Sequence, residues 1–88
     1  MDQKAQNKEN ENTIYVIRYQ QKIEGLTFSG INSFYKTQPS AQKGLLKLTD
    51  FYLRIGYTIE NKQEDIVNLT DSHDGSLKIY VSPEYIEP

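Results

Sequence analysis

The sequence predicts an α+β fold, a small antiparallel sheet of four to five strands covered by one helix. Three observations carry this expectation. Runs rich in β-branched and aromatic residues flank a single helical stretch. That stretch has its own start signal, stop signal and apolar stripe. Asp74-Gly75, a strong hairpin pair, joins the last two apolar runs and makes them antiparallel neighbours.

The first run, TIYVIRYQ from Thr13, reads as a strand that ends at the polar QQK. Ile14 and Val16 point to one face, and Tyr15, Ile17 and Tyr19 to the other. Both faces are apolar, so the strand is expected at the centre of the sheet. QQKIEG reads as a turn. GLTFSG then places Leu26 and Phe28 on one face of a second strand. Gly30 marks a bend, and INSFYKT reads as a short third strand carrying Phe34.

The helix follows. Thr37 is the expected N-cap, because its hydroxyl can accept an orphan backbone N–H. Pro39 in the first turn gives up a donor that has no partner there. Ala41, Leu45, Leu48, Tyr52 and Ile55 fall at steps of four and three and hold one face, and Phe51 widens it. Gly56 supplies the residue at which such a helix stops. Gly44 in its interior costs about 1 kcal/mol relative to Ala, and is either a close approach to a strand or tolerated slack. After the helix, Tyr57 and Ile59 could begin an extended segment, and ENKQED is a polar loop. DIVNLT and SLKIYV are the last two strands, with Leu77, Ile79 and Val81 alternating. Pro83 is expected to end the last one. The expected chain order is β-β-β-α-β-β. Residues 1–12 read as a disordered tail, 13–82 as the domain and 83–88 as a short acidic tail.

Composition narrows the function. Eighty-eight residues make one domain. The absence of cysteine excludes a disulfide framework and a thiolate metal site. No apolar run reaches the roughly 18 residues that cross a bilayer, and the polar N-terminal stretch lacks the apolar core of a secretory signal. A cytoplasmic protein without a membrane partner is the expectation. Charge is laid out unevenly: residues 13–56 carry six basic side chains against Glu24 and Asp50, whereas residues 57–88 carry two against seven acids.

Catalytic signals are weak. His73, the one histidine, lies in the hydrophilic turn DSHDGS. A calcium loop started at Asp71 would place His73, Gly75 and Ser82 where ligands belong, so the pattern fails. No phosphate-binding or nucleophile-elbow motif occurs, and Glu64-Asp65 sits in a polar loop. Neither enzymatic activity, a cofactor nor a metal is expected. Seven tyrosines suit packing in a chain without tryptophan, with Tyr35 and Tyr85 the candidates for exposed contacts.

The leading expectation is a small non-enzymatic binding protein. Its short Lys-, Ile-, Tyr- and Asn-rich sequence has the style of an accessory regulator or inhibitor from a phage or mobile element. Its contact residues would be Asp71, Asp74, Glu84, Tyr85 and Glu87, making an acidic patch that occupies a basic surface of a larger protein. A second expectation is weak nucleic-acid binding through Arg18, Lys22, Lys36, Lys43, Lys47 and Arg54. Set against it, Lys43, Lys47, Asp50 and Arg54 share one helix face, the pattern of a solvated surface with mutual pairing. A third expectation is a structural subunit that uses exposed apolar edges.

Overall fold

The computed structural model describes residues 12–86. It contains five strands and one helix: β1 (Thr13–Ile23), β2 (Leu26–Tyr35), α1 (Gln38–Arg54), β3 (Thr58–Lys62), β4 (Ile66–Thr70) and β5 (Ser76–Tyr85). The sheet order is β2-β1-β5-β4-β3, with every neighbouring pair antiparallel. The α+β class and the single covering helix follow the sequence. The chain order is instead β-β-α-β-β-β, with two strands before the helix and three after it.

Two local features cause that difference. Glu24 and Gly25 both adopt positive φ, at 50° and 82°. They form a two-residue turn with the twist of a type I′ hairpin. The ladder therefore continues through Gln20, Gln21 and Lys22 to the Ile23–Leu26 pair, and the polar stretch is strand rather than turn. Beyond it, the two short runs around Gly30 are one strand. An irregularity at Asn32, where Ile17 opposes Ser33 but Arg18 opposes Ile31, absorbs one extra residue as a β-bulge.

Pro83 does not end β5, which runs to Tyr85 and pairs it with Thr13. The Val81 N–H bonds to the Asp65 carbonyl, so alternation turns the position of Pro83's missing N–H to the same side. β4 has already ended there, and no ladder bond is lost. Of the two tails expected from the sequence, residues 1–11 and 87–88 lie outside the described residues. Asn12 accepts a backbone bond from Ile86 at 2.6 Å.

The helix is capped as its sequence requires. Thr37 Oγ1 accepts from the Ser40 N–H at 3.3 Å. At the other end Gly56 N donates to Leu53 O and Tyr57 N to Tyr52 O, the paired bonds of a Schellman motif. Its buried row is Ala41, Leu45 and Thr49. Leu48 and Tyr52 are half-buried, whereas Phe51 and the C-cap Ile55 are exposed, at 53% and 56%. Steps of four thus set the buried face, and the expected stripe drifts off it by Ile55. Thr49 enters the core because its hydroxyl bonds to the Leu45 carbonyl at 2.8 Å.

Helix and sheet enclose one core of Ile17, Ala41, Leu45, Val67, Leu69, Leu77, Ile79 and Val81. The other face of the sheet carries no helix. Val16 is nonetheless buried there, paired with Phe34 on one side and Ser82 on the other.

Candidate functional site

The two sheet edges differ in kind. β3, the shorter edge, has five residues, includes Glu60 and Lys62, and is bulged between Ile59 and Asn61. Such a strand resists pairing with another chain. β2, the opposite edge, has ten residues, LTFSGINSFY, without a charge or a proline. Leu26, Phe28, Ile31 and Phe34 are 61%, 48%, 44% and 62% exposed. Among the described residues no strand pairs with its outer side.

Alternation places these four side chains on both faces. Leu26 and Phe28 oppose Ile23 and Gln21 and share the helix side. Ile31 and Phe34 oppose Arg18 and Val16 and share the helix-free side. The β2 flank of the helix adds to the helix-side group. There Tyr35 packs over Gly44, where a Cβ would collide with the Tyr35 ring. The exposed Phe51 meets Tyr52 edge-on at 5.4 Å, and Tyr52 meets Tyr57 edge-on at 5.1 Å. Burial raises the pKa of the Tyr52 hydroxyl, with the nearby Tyr57 and Tyr19 adding to the shift.

The expected acidic patch is divided. Asp71 and Asp74 lie in the β4–β5 turn, at one end of β5, and Glu84 and Tyr85 lie at the other end. The eight steps from Ser76 to Glu84 span about 26 Å at 3.3 Å per residue. Asp71 serves the turn itself. Its Oδ1 accepts from the His73 and Gly75 N–H groups, each at 2.8 Å, and these bonds hold its carboxyl below the usual range. Glu84 accepts from Arg18 Nε at 2.6 Å and from Ser82 Oγ at 3.3 Å. The Arg18 guanidinium depresses the Glu84 pKa, and Glu84 raises that of Arg18. Asp65, which sequence reasoning passed over, accepts from Gln38 and Gln42 and ties the helix to the β3–β4 turn. Glu87 lies outside the described residues. Tyr85 is exposed, whereas Tyr35 is half-buried.

The expected basic surface is divided as well. Arg18 and Lys22 lie on the helix-free face. Lys43, Lys47 and Arg54 are exposed on the outer side of the helix, and Lys36 is in the connection before it. Lys78 joins Arg18 and Lys22 on the helix-free face, its Nζ 5.1 Å from the Tyr80 ring centroid. A depression of about 240 Å³, lined by Gln20, Lys22, Glu60, Asn68, Ser76 and Lys78, opens on that face. A second, of about 430 Å³, lies between Gln42, Leu46 and the Lys62–Glu64 segment.

His73 is exposed on its turn. Among the described residues no three His, Asp or Glu side chains are grouped as a metal site. No helix among them is long and apolar enough to cross a membrane. Compared with known proteins, the chain matches no family model, no curated protein and no solved structure.

Proposed function

We propose that this chain is a small non-enzymatic protein-binding module, a regulator or subunit that works by occupying a surface of a larger assembly. Its contact surface is the β2 edge with the apolar side chains beside it. The observation that carries this reading is a ten-residue edge strand with four exposed large hydrophobics and no charge. Unpaired backbone along such an edge provides affinity, and side chains on alternate faces provide selectivity. Exposed apolar area of this kind marks protein contacts rather than phosphate contacts.

The acidic and basic side chains give weaker support to the other readings. Asp71 and Glu84 are engaged within the domain and stand at opposite ends of β5. Basic groups are shared between two opposite faces, and Arg18 is paired.

The test is capture of a partner from nuclease-treated lysate by the wild-type chain and by Phe28→Glu/Phe34→Glu. The double variant changes exposed positions only, so it should keep the wild-type circular dichroism spectrum and lose the partner. Capture that disappears with nuclease, or that survives the double variant but not Lys22→Ser/Lys78→Ser, would overturn the reading.

A further inference from the structure

We infer that β2 pairs with β2 of a second copy of this chain, antiparallel about a twofold axis, making one continuous ten-stranded sheet. The inference rests on β2 as the contact surface and names the occupant. Three features of the strand favour its own copy.

The first is the direction of the free backbone groups. Val81 N–H points to the β4 side, so alternation turns Ser82 toward β1, Val16 toward β5 and Ile17 toward β2. Tyr19 and Gln21 then bond to Gly30 and Phe28. Thr27, Ser29 and Ile31 are left with N–H and C=O groups aimed outward. When Ser29 of one copy opposes Ile31 of the other, these groups meet in register from both sides of the axis.

The second feature is the absence of charge. An isologous interface sets a surface against itself, so any charge near the axis meets its own kind. The segment from Leu26 to Tyr35 has none. The third feature is charge at the two ends. Glu24 stands in the turn before β2, and Lys36 directly follows it; both are exposed. Antiparallel pairing in this register carries Lys36 of each copy to the Glu24–Gly25 turn of the other. The pairing thus forms two opposite-charge contacts related by the axis. β3, the other edge, is half as long and bulged between Ile59 and Asn61, and offers no comparable run of free backbone groups.

Sedimentation equilibrium of the full chain up to about 1 mM should show a monomer–dimer equilibrium. Ile31→Lys places two like charges near the axis and should leave a folded monomer. Glu24→Lys or Lys36→Glu alone should weaken the dimer by about two- to thirtyfold, the range for two exposed pairs, and the charge-swapped double variant should restore it. In the concentrated sample the amides of Thr27, Ser29 and Ile31 should gain protection from hydrogen exchange, whereas Phe28 and Gly30 should be protected at any concentration. A wild-type chain that stays monomeric overturns the inference, as does a dimer unaffected by Ile31→Lys. If the chain is monomeric but Phe28→Glu/Phe34→Glu still abolishes capture of another protein, the second copy falls and the contact surface stands.

Discussion

Arg18 Nε donates to Glu84 Oε2 at 2.6 Å across the central β1–β5 ladder. Each side chain is about one-third exposed on the helix-free face, at 33% and 34%. One is a cation suited to phosphates and the other an anion suited to a basic partner. In the fold each holds the other, which lowers the value of both as external contacts.

The pair gives the stability a pH dependence. Glu84 has a folded pKa held below its ordinary value, chiefly by the bond from Arg18. A group depressed in this way contributes stability that is present above its unfolded pKa and lost as pH falls through the folded one. Glu84→Gln should therefore be less stable than wild type at neutral pH, and the difference should shrink below about pH 4. Urea denaturation at both pH values measures it. A constant difference would show that the cost is packing rather than charge.

Asp71 follows the same sign for a different reason. Two backbone N–H groups, from His73 and Gly75, stabilise its ionised form. Asp71→Ala leaves both donors without this acceptor and should loosen the β4–β5 turn. Faster amide exchange at His73 and Gly75, with β1–β2 amides unchanged, is the expected readout. His73→Ala should leave stability within about 0.5 kcal/mol, as for other exposed positions.

Leu45→Ala should cost about 2–5 kcal/mol, since Leu45 is only 1% exposed at the centre of the helix–sheet contact. Leu48→Ala should cost less, because Leu48 is half-buried at the margin. Thermal unfolding of the two variants ranks them. Equal losses would mean that the buried row is centred elsewhere.

Gly44→Ala opposes two effects. Helix propensity favours alanine by about 1 kcal/mol. The new methyl, however, occupies the place of the Tyr35 ring and would displace it from its half-buried position. The expected net result is destabilisation. In a Tyr35→Leu background the same substitution should become stabilising. A double-mutant cycle reads the sign change directly.

Much of the fold was legible because it rests on period and caps. Thr37 and Gly56 bound the helix, and Leu77, Ile79 and Val81 mark one face of β5. What sequence reasoning missed depended on local turn conformation and on pairing with neighbouring strands. Glu24-Gly25 lacks the Asn or Asp that signals a tight hairpin, yet it closes one. Gln20 and Lys22 carry no strand propensity of note and are held by ladders on both sides. The candidate surface was visible only as scattered hydrophobics, because exposure is decided by where the helix lies. Leu26, Phe28, Ile31 and Phe34 with no charge between them are the sequence signal of this edge strand.

The central ladder also sets the tempo at which this chain can fold. Arg18 and Glu84 are 66 residues apart, so the middle of the sheet cannot close until both segments exist. At a synthesis rate of 5–20 residues per second, that interval is roughly 3–13 s. The β1–β2 hairpin can form within about 10 μs of β2 being made at Tyr35, so it waits for β5 through about three quarters of this time. During the wait β1 shows apolar side chains on both faces and a free edge on the side that β5 will occupy. Nascent chains on one message would then present sticky hairpins to one another and to chaperones. Early capture by a holdase, which shields the hairpin, or fast translation after β2, which shortens its exposure, would favour the soluble yield of this protein.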